Sequence, residues 1–150
     1  MSELKFLIGS TFYTSLLFTR GSGTISSFFI YLILLPNPLN DLSKYLILGV
    51  LISIHAFCFH FFKSKFDNHD PKQYTLDETI AMLLLNIFFP EELEWTLSFA
   101  LFRVFDIWKP FGIKLIEKAS CISLSVRNVA DDIIAAVYSV LTLNILKYVI

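Results

Sequence analysis

Charged residues stand at the ends of several strongly apolar segments of this sequence. Seven of them have types that could do chemistry together: Asp77, Glu78, Arg103, Asp106, Lys109, Asp131 and Asp132. Ionisable residues at the edges of apolar helices are costly, which makes them functional candidates. Carboxylates suit Mg²⁺, whereas Arg and Lys suit phosphate oxygens. These residue types therefore predict a metal-and-phosphate pocket, where water attacks phosphorus and cations stabilise the developing charge.

Helix capping is the structural alternative for the two acidic pairs. Thr75 followed three residues later by Glu78 is the pattern of a capping box, and acidic residues suit the first turn of a helix. Asn128 could cap the last helix in the same way, with Asp131 at the third position. Capping does not explain why a second acid, Asp132, leads into the apolar segment.

A three-residue spacing places Arg103, Asp106 and Lys109 on neighbouring positions of one helical face. The structural alternative is a ladder of salt bridges that ends at Pro110. Arg103 follows the largely apolar run 97–102, however, so its charge requires a polar cavity, and this favours a functional role.

The Gly21-Ser22-Gly23-Thr24 sequence is predicted to form a flexible turn. Its backbone N–H groups could approach an anion, but the motif alone is a weak signal and an ordinary turn is its more common explanation.

The composition indicates a membrane protein. The 150 residues are 55% hydrophobic and only 17% charged, with a mean hydropathy of +0.66, whereas soluble domains are about 25% charged. Residues 45–62 and 133–150 are long and apolar enough, or nearly so, to cross a bilayer. Shorter apolar segments cover residues 4–18, 26–35, 76–89 and 96–108. We therefore predict one all-α domain over residues 1–150, a compact integral membrane bundle of about six helices with several spans.

Basic residues divide unequally between the two predicted faces of this bundle. The face that carries the charged groups above also holds most of the Lys and Arg: Arg20, Lys63, Lys65, Lys72, Lys109, Lys114, Lys118 and Arg127. The other face has only Lys44 and the terminal Lys5 and Lys147. Because such an excess marks the cytoplasmic side, the site is predicted to face the cytoplasm.

Other kinds of chemistry are less well supported. The net charge of −1 argues against a nucleic-acid partner. Cys58 and Cys121 lack metal-ligand spacing and are expected to be reduced. His55 and His60 are expected to be packing residues, which leaves His69 as the histidine near the predicted site. No signal peptide is predicted.

Four of these segments occur in an order that resembles the bacterial phosphatidylglycerophosphatase A family. They are the Gly-Ser-Gly-Thr turn at 21–24, His69-Asp70-Pro71 leading to Asp77-Glu78, FRVFDIWKP at 102–110 and ADDIIA at 130–135. The last two are the specific parts. The similarity covers about residues 12–140, which is nearly the whole chain.

The resemblance implies a Mg²⁺-dependent enzyme of the bacterial inner membrane that converts phosphatidylglycerophosphate to phosphatidylglycerol in phospholipid synthesis. The family's acidic residues correspond here to Asp77, Glu78, Asp106, Asp131 and Asp132. As a hypothesis we assign metal binding to all five and catalysis to Asp77, Glu78, Asp106 and Asp132. The predicted phosphate-binding set is Arg103, Lys109, Gly21, Gly23 and Thr24.

The sequence departs from the family pattern in three loops. Residues 119–127 lack the usual glycine-rich stretch, Phe111-Gly112 replaces a common Trp-Pro pair, and Ser22 stands where proline is usual. The acids and bases are retained, so these loops bear on head-group fit more than on chemistry.

Two other functions remain open at this point. One is a non-enzymatic membrane protein, such as a transporter subunit or scaffold, whose charges pair internally. The other is a related phosphatase that acts on a soluble phosphate monoester.

Overall fold

A computed structural model describes residues 22–35, 39–62, 75–110, 112–113, 116 and 123–149. These residues contain no strand and form five long helices: α1 (Ser22–Leu34), α2 (Asp41–Phe62), α3 (Leu76–Phe88), α4 (Glu92–Trp108) and α5 (Leu124–Val149). The predicted all-α class is confirmed for this part of the chain. The predicted helix over residues 4–18 lies outside the described residues, as do His69 and Cys121.

Helix α3 lies at the centre of the bundle and contacts each of the other four helices. Its side chains are buried around most of its circumference, from Leu76 and Asp77 at its start to Leu85 and Asn86 near its end. With 13 residues it is about 20 Å long, which is shorter than the hydrocarbon thickness of a bilayer. The short apolar segment predicted at 76–89 is therefore a helix enclosed by other helices.

The main core holds α1 and α5 against α4. Trp95 and Phe102 of α4 are fully buried, and the small residues Ala135 and Ala136 let α5 approach closely. Trp95 Nε1 donates a hydrogen bond to the Tyr31 carbonyl at 3.3 Å. Because residue 31 lies beside residue 95 while Thr24 contacts Arg103, α1 runs antiparallel to α4. The start of α1 is thus held at the end of α4.

Two helices are long and apolar enough to cross a membrane, over Asp41–Cys58 in α2 and Val129–Val149 in α5. Only 17% and 28% of these segments are buried inside the protein, whereas a core helix of a soluble domain is mostly buried. Large apolar side chains such as Leu46, Val50, Leu141 and Ile145 are exposed. An apolar surface of this extent favours lipid around α2 and α5.

The capping patterns predicted for the acidic pairs are wrong at both helices, although Asp77 and Glu78 do lie in the first turn of α3, where the helix dipole favours acidic residues. Thr75 makes no side-chain capping hydrogen bond, and its carbonyl instead accepts a bond from Thr79 Oγ1 at 3.0 Å. Helix α5 begins at Leu124, so the predicted cap at Asn128 is already inside the helix. Asp131 and Asp132 therefore lie about two turns beyond the helix start, where the dipole no longer favours them.

A buried lysine joins α2 to α3 at the opposite end of the bundle. The carbonyl of Asn86 lacks its helical donor because the residue four positions on is Pro90, which has no N–H. Lys44 Nζ, on a side chain that is 1% exposed, donates to this carbonyl at 3.4 Å. This contact fixes the start of α2 against the end of α3.

Candidate active site

Three carboxylates converge near the N-terminal ends of α3 and α5. Asp77 and Glu78 come from the first turn of α3 and Asp132 comes from α5, and one oxygen of each lies within 4.8 Å of the others. Asp77 and Asp132 are buried. Like charges this close repel one another unless a cation or a proton neutralises them. We call Asp77, Glu78 and Asp132 the carboxylate cluster, and its oxygens are the donors that Mg²⁺ prefers.

Glu78 is held against the backbone of α1. A Cβ added to Gly23 would collide with Glu78 Oε1, so the missing side chain of glycine creates the room that Glu78 occupies. Glu78 Oε2 is buried and has no hydrogen-bond partner among the described residues. Burial is the main cause that raises the pKa of the Glu78 carboxyl, and the nearby Asp106 charge acts in the same direction. A buried carboxylate oxygen without a partner suits a cation ligand.

The guanidinium of Arg103 connects α4 to the start of α1. Its Nη2 donates to Thr24 Oγ1 at 2.6 Å, and its Nη1 donates to Ser27 Oγ at 3.3 Å. Nη1 also pairs with Asp106 Oδ2 at 2.8 Å. Arg103 Nε is buried and lacks a hydrogen-bond partner within the described part of the chain. The guanidinium is thus fixed in orientation by three of its five N–H groups, which leaves the Nε and second Nη2 N–H groups for an anion such as a phosphate oxygen.

Lys109 lies immediately after α4, with a left-handed backbone at φ 46°. Its N–H donates to the Phe105 carbonyl at 2.8 Å, which closes the last turn of the helix before Pro110. Lys109 Nζ forms an ion pair with Asp131 Oδ2 at 2.9 Å. Asp131 therefore lies in an ion pair, while its neighbour Asp132 belongs to the carboxylate cluster.

The structure divides the five predicted acids into two sets. Asp77, Glu78 and Asp132 form the carboxylate cluster, whereas Asp106 and Asp131 pair with the two cations, Arg103 and Lys109. Asp106 lies within electrostatic reach of Glu78 and Asp132. With five carboxylates and two cations in the described part of the site, negative charge is in excess. This excess favours a bound cation.

The predicted glycine turn has a different form from the one expected. Gly23 and Thr24 lie in the first turn of α1. Gly23 lies against Glu78, and Thr24 accepts a hydrogen bond from Arg103. Gly21 lies outside the described residues. The sequence pattern did not identify Ser27, whose hydroxyl donates to the Gly23 carbonyl at 2.6 Å. Its spacing of three from Thr24 would have indicated a shared face if residues 22–27 had been recognised as helical.

Comparison with known proteins identifies one matching family and two similar proteins. A sequence profile of the Phosphatidylglycerophosphatase A family matches residues 7–147. A Phosphatidylglycerophosphatase A of Haemophilus influenzae is 32% identical over 82 residues, which are 53% of this chain and 49% of that protein. A Bacteroides thetaiotaomicron protein named "Putative phosphatidylinositol-3-phosphatase" is 32% identical over 85 residues, 54% of this chain and 52% of that protein.

The chain spans about half the length of these curated relatives. No solved structure shows significant similarity to it. The family profile, in contrast, covers nearly the whole chain and includes every site residue described above. The chain therefore belongs to the phosphatidylglycerophosphatase A family.

Proposed function

We propose that this protein is a Mg²⁺-dependent lipid phosphatase that hydrolyses phosphatidylglycerophosphate to phosphatidylglycerol and phosphate in phospholipid synthesis. The observation that carries the proposal is the convergence of the carboxylate cluster at the same end of the bundle as Arg103. Membership of the family and the name of the Haemophilus relative support the choice of substrate.

The carboxylate cluster fits a divalent cation for three reasons. Its oxygens lie within 4.8 Å of one another, Glu78 Oε2 is buried without a partner in the described chain, and carboxylates outnumber cations around it. We assign Asp77, Glu78 and Asp132 as the residues that would hold Mg²⁺, with Asp106 and Asp131 as supporting acids. When bound, Mg²⁺ would neutralise charge on the phosphate and activate it toward attack.

Arg103 is the residue that we assign to the phosphate oxygens. Its planar guanidinium suits a phosphate, and its contacts with Thr24, Ser27 and Asp106 hold it in one orientation. Donors that are fixed before the reaction stabilise developing charge best. Lys109, which Asp131 holds at the end of α4, supplies a second positive charge.

Asp106 is our choice for the acid that accepts a proton from the attacking water. Its carboxylate is oriented by Arg103 at 2.8 Å and lies near the carboxylate cluster. A base must stand within hydrogen-bond reach of the proton that it removes, and Asp106 is paired with the guanidinium that we assign to the phosphate, so it lies beside the proposed position of the reacting group.

A multi-pass location in the bacterial inner membrane, with the site at the cytoplasmic face, completes the proposal. The two apolar helices support it, because their exposed surfaces suit lipid. The excess of basic residues at the site's end of the predicted topology supports the cytoplasmic orientation. A lipid phosphate at the membrane surface would then reach the site without leaving the bilayer.

Phosphate release by the purified protein in detergent micelles tests the function. We expect release from phosphatidylglycerophosphate with Mg²⁺, no release with EDTA, and recovery when Mg²⁺ is restored. Phosphatidylinositol 3-phosphate should be a poorer substrate, although the name of the Bacteroides relative makes it a necessary comparison. Activity that persists under chelation would remove the metal from the mechanism. Absence of release from every lipid phosphate would favour a non-enzymatic membrane protein. Preference for a soluble ester would favour a related phosphatase that acts on soluble phosphate monoesters.

Replacing Gly23 by alanine should displace Glu78 from its place against α1. A Cβ at this position collides with Glu78 Oε1, so we expect a loss of about 10–100-fold in Mg²⁺ affinity or activity, as for other supporting residues of metal sites. Gly49→Ala is the matched control, because a Cβ there meets nothing within 4 Å. Titration of activity with Mg²⁺ provides the measurement. Equal activity in the two variants would show that Glu78 does not depend on Gly23.

A further inference from the structure

An apolar cleft of about 240 Å³ lies between α2, α3 and α5. Its walls include Ile52 and Ala56 of α2 and Val126, Ala130 and Ile133 of α5, and its floor includes Ile80 of α3. Ile80 is 1% exposed, whereas Ile52 and Val126 are 48% and 57% exposed. The cleft therefore has a closed floor and open rims, and it opens toward the surroundings of the bundle.

The cleft lies next to residues of the carboxylate cluster. Its floor residue Ile80 lies three residues after Asp77 in α3, and Val129, which also lines it, lies three residues before Asp132 in α5. A spacing of three places each pair on neighbouring positions of one helical face. Its walls belong to the two helices that are long and apolar enough to cross a membrane. One end of the cleft is thus beside the acids, and its mouth faces the apolar surroundings of α2 and α5.

We propose that this cleft holds the first part of one acyl chain of the lipid whose phosphate is hydrolysed. The proposal rests on the proposed function, since it requires a lipid phosphate at the carboxylate cluster. A phospholipid is continuous from its phosphate through glycerol to its chains, so a phosphate held at the acids brings a chain to the adjacent apolar walls. At about 240 Å³ the cleft is smaller than the roughly 300–1,000 Å³ pockets that hold whole small ligands, so it has room for only part of one chain.

The cleft would position the substrate more than it would increase affinity. An acyl chain that enters it leaves one apolar environment for another, so little free energy of transfer is gained. A chain held between α2 and α5 would instead fix the orientation of the glycerol and the phosphate. Because small errors in the placement of a reacting group reduce rates strongly, the expected effect is on kcat/KM for substrates that carry chains.

Ala56→Phe tests the proposal by filling the cleft from α2. The measured quantity is the ratio of kcat/KM for long-chain phosphatidylglycerophosphate to kcat/KM for its deacylated head group, glycerophosphoglycerophosphate. We expect this ratio to fall by at least about tenfold, because the chain can no longer orient the phosphate. Ala100→Phe is the matched control, since Ala100 is exposed on α4 and does not line the cleft. An unchanged ratio in Ala56→Phe, or an equal fall in both variants, would overturn the proposal.

Photo-crosslinking gives a second readout that does not depend on catalysis. The probe is phosphatidylglycerophosphate with a diazirine near the carboxyl end of one chain, presented in mixed micelles. We expect labelled peptides from residues 52–56 and 126–133, competition by unlabelled phosphatidylglycerophosphate, and loss of labelling in Ala56→Phe but not in Ala100→Phe. Labelling that is spread over the apolar surface, or that excess phosphatidylglycerophosphate does not reduce, would indicate bulk lipid and overturn the proposal. A protein that releases no phosphate but is labelled as expected would refute the proposed function alone.

Discussion

An Asp132→Asn variant is expected to lose phosphatase activity by about 10²–10³-fold, the scale for removal of one preorganised electrostatic group. The substitution keeps the size of the side chain but removes a charge from the carboxylate cluster, where Asp132 is 5% exposed and water cannot replace it. We expect the variant to require more Mg²⁺ and to remain slow at saturation. The measurement is kcat for phosphatidylglycerophosphate as a function of Mg²⁺ concentration.

Two controls separate this loss from a loss of folding. Asp41→Asn changes an exposed aspartate in the first turn of α2, at the other end of the bundle, and should leave kcat at the parent value. Thermal unfolding of Asp132→Asn without metal should occur at or above the parent temperature, because one of three close like charges has been removed. Parent activity in Asp132→Asn would exclude this residue from the site.

Arg103→Lys is expected to lower kcat/KM by about 10²–10³-fold although it preserves the positive charge. A lysine ammonium cannot contact Thr24, Ser27 and Asp106 with the fork geometry of the guanidinium, so the orientation toward phosphate is lost. Thr24→Val and Ser27→Ala remove only the supporting hydroxyls, and each should cost less than Arg103→Lys. Steady-state kinetics with phosphatidylglycerophosphate would measure kcat/KM for the three variants and rank their losses.

Lys147→Met is the control for a change at a cationic residue remote from the site. Lys147 Nζ pairs with Glu94 Oε1 at 2.6 Å near the end of α5, away from the carboxylate cluster, on a side chain that is half exposed. Exposed pairs of this kind contribute about 0–1 kcal/mol to stability, so activity should be retained. An equal loss of activity in Lys147→Met and Arg103→Lys would show that the effect is not specific to the guanidinium contacts.

Local patterns in the sequence were sufficient to predict the helical class and the end of the bundle at which the candidate site lies. The sequence identifies α2 and α5 because each contains an apolar segment that is long enough to cross a membrane. The charged residues at helix ends indicated the acids and Arg103 for the same local reason. The start of α5 was predicted too late, since residues 123–128 carry no clear apolar pattern and a helix start depends on its tertiary surroundings.

The sequence could not predict which acids form the carboxylate cluster and which pair with a cation, because this depends on contacts between distant parts of the chain. The sequence predicted metal binding for both Asp131 and Asp132, but in the structure the ion pair with Lys109 separates Asp131 from the carboxylate cluster. Gly23 suggested a flexible phosphate-binding turn, whereas its structural importance is the close approach of Glu78 from another helix. A single sequence contains no direct information about such pairs.

Binding of Mn²⁺, a spectroscopic substitute for Mg²⁺, tests the carboxylate cluster as a metal site most directly. The purified protein without substrate would be titrated with Mn²⁺, and the free ion would be followed by electron paramagnetic resonance. We predict saturable binding by the parent protein, competition by Mg²⁺, and retention of binding in Asp41→Asn. The triple variant Asp77→Asn, Glu78→Gln, Asp132→Asn should lose this binding. A parent protein that binds no Mn²⁺, or a triple variant that binds it as the parent does, would contradict the assignment of these three carboxylates as metal ligands.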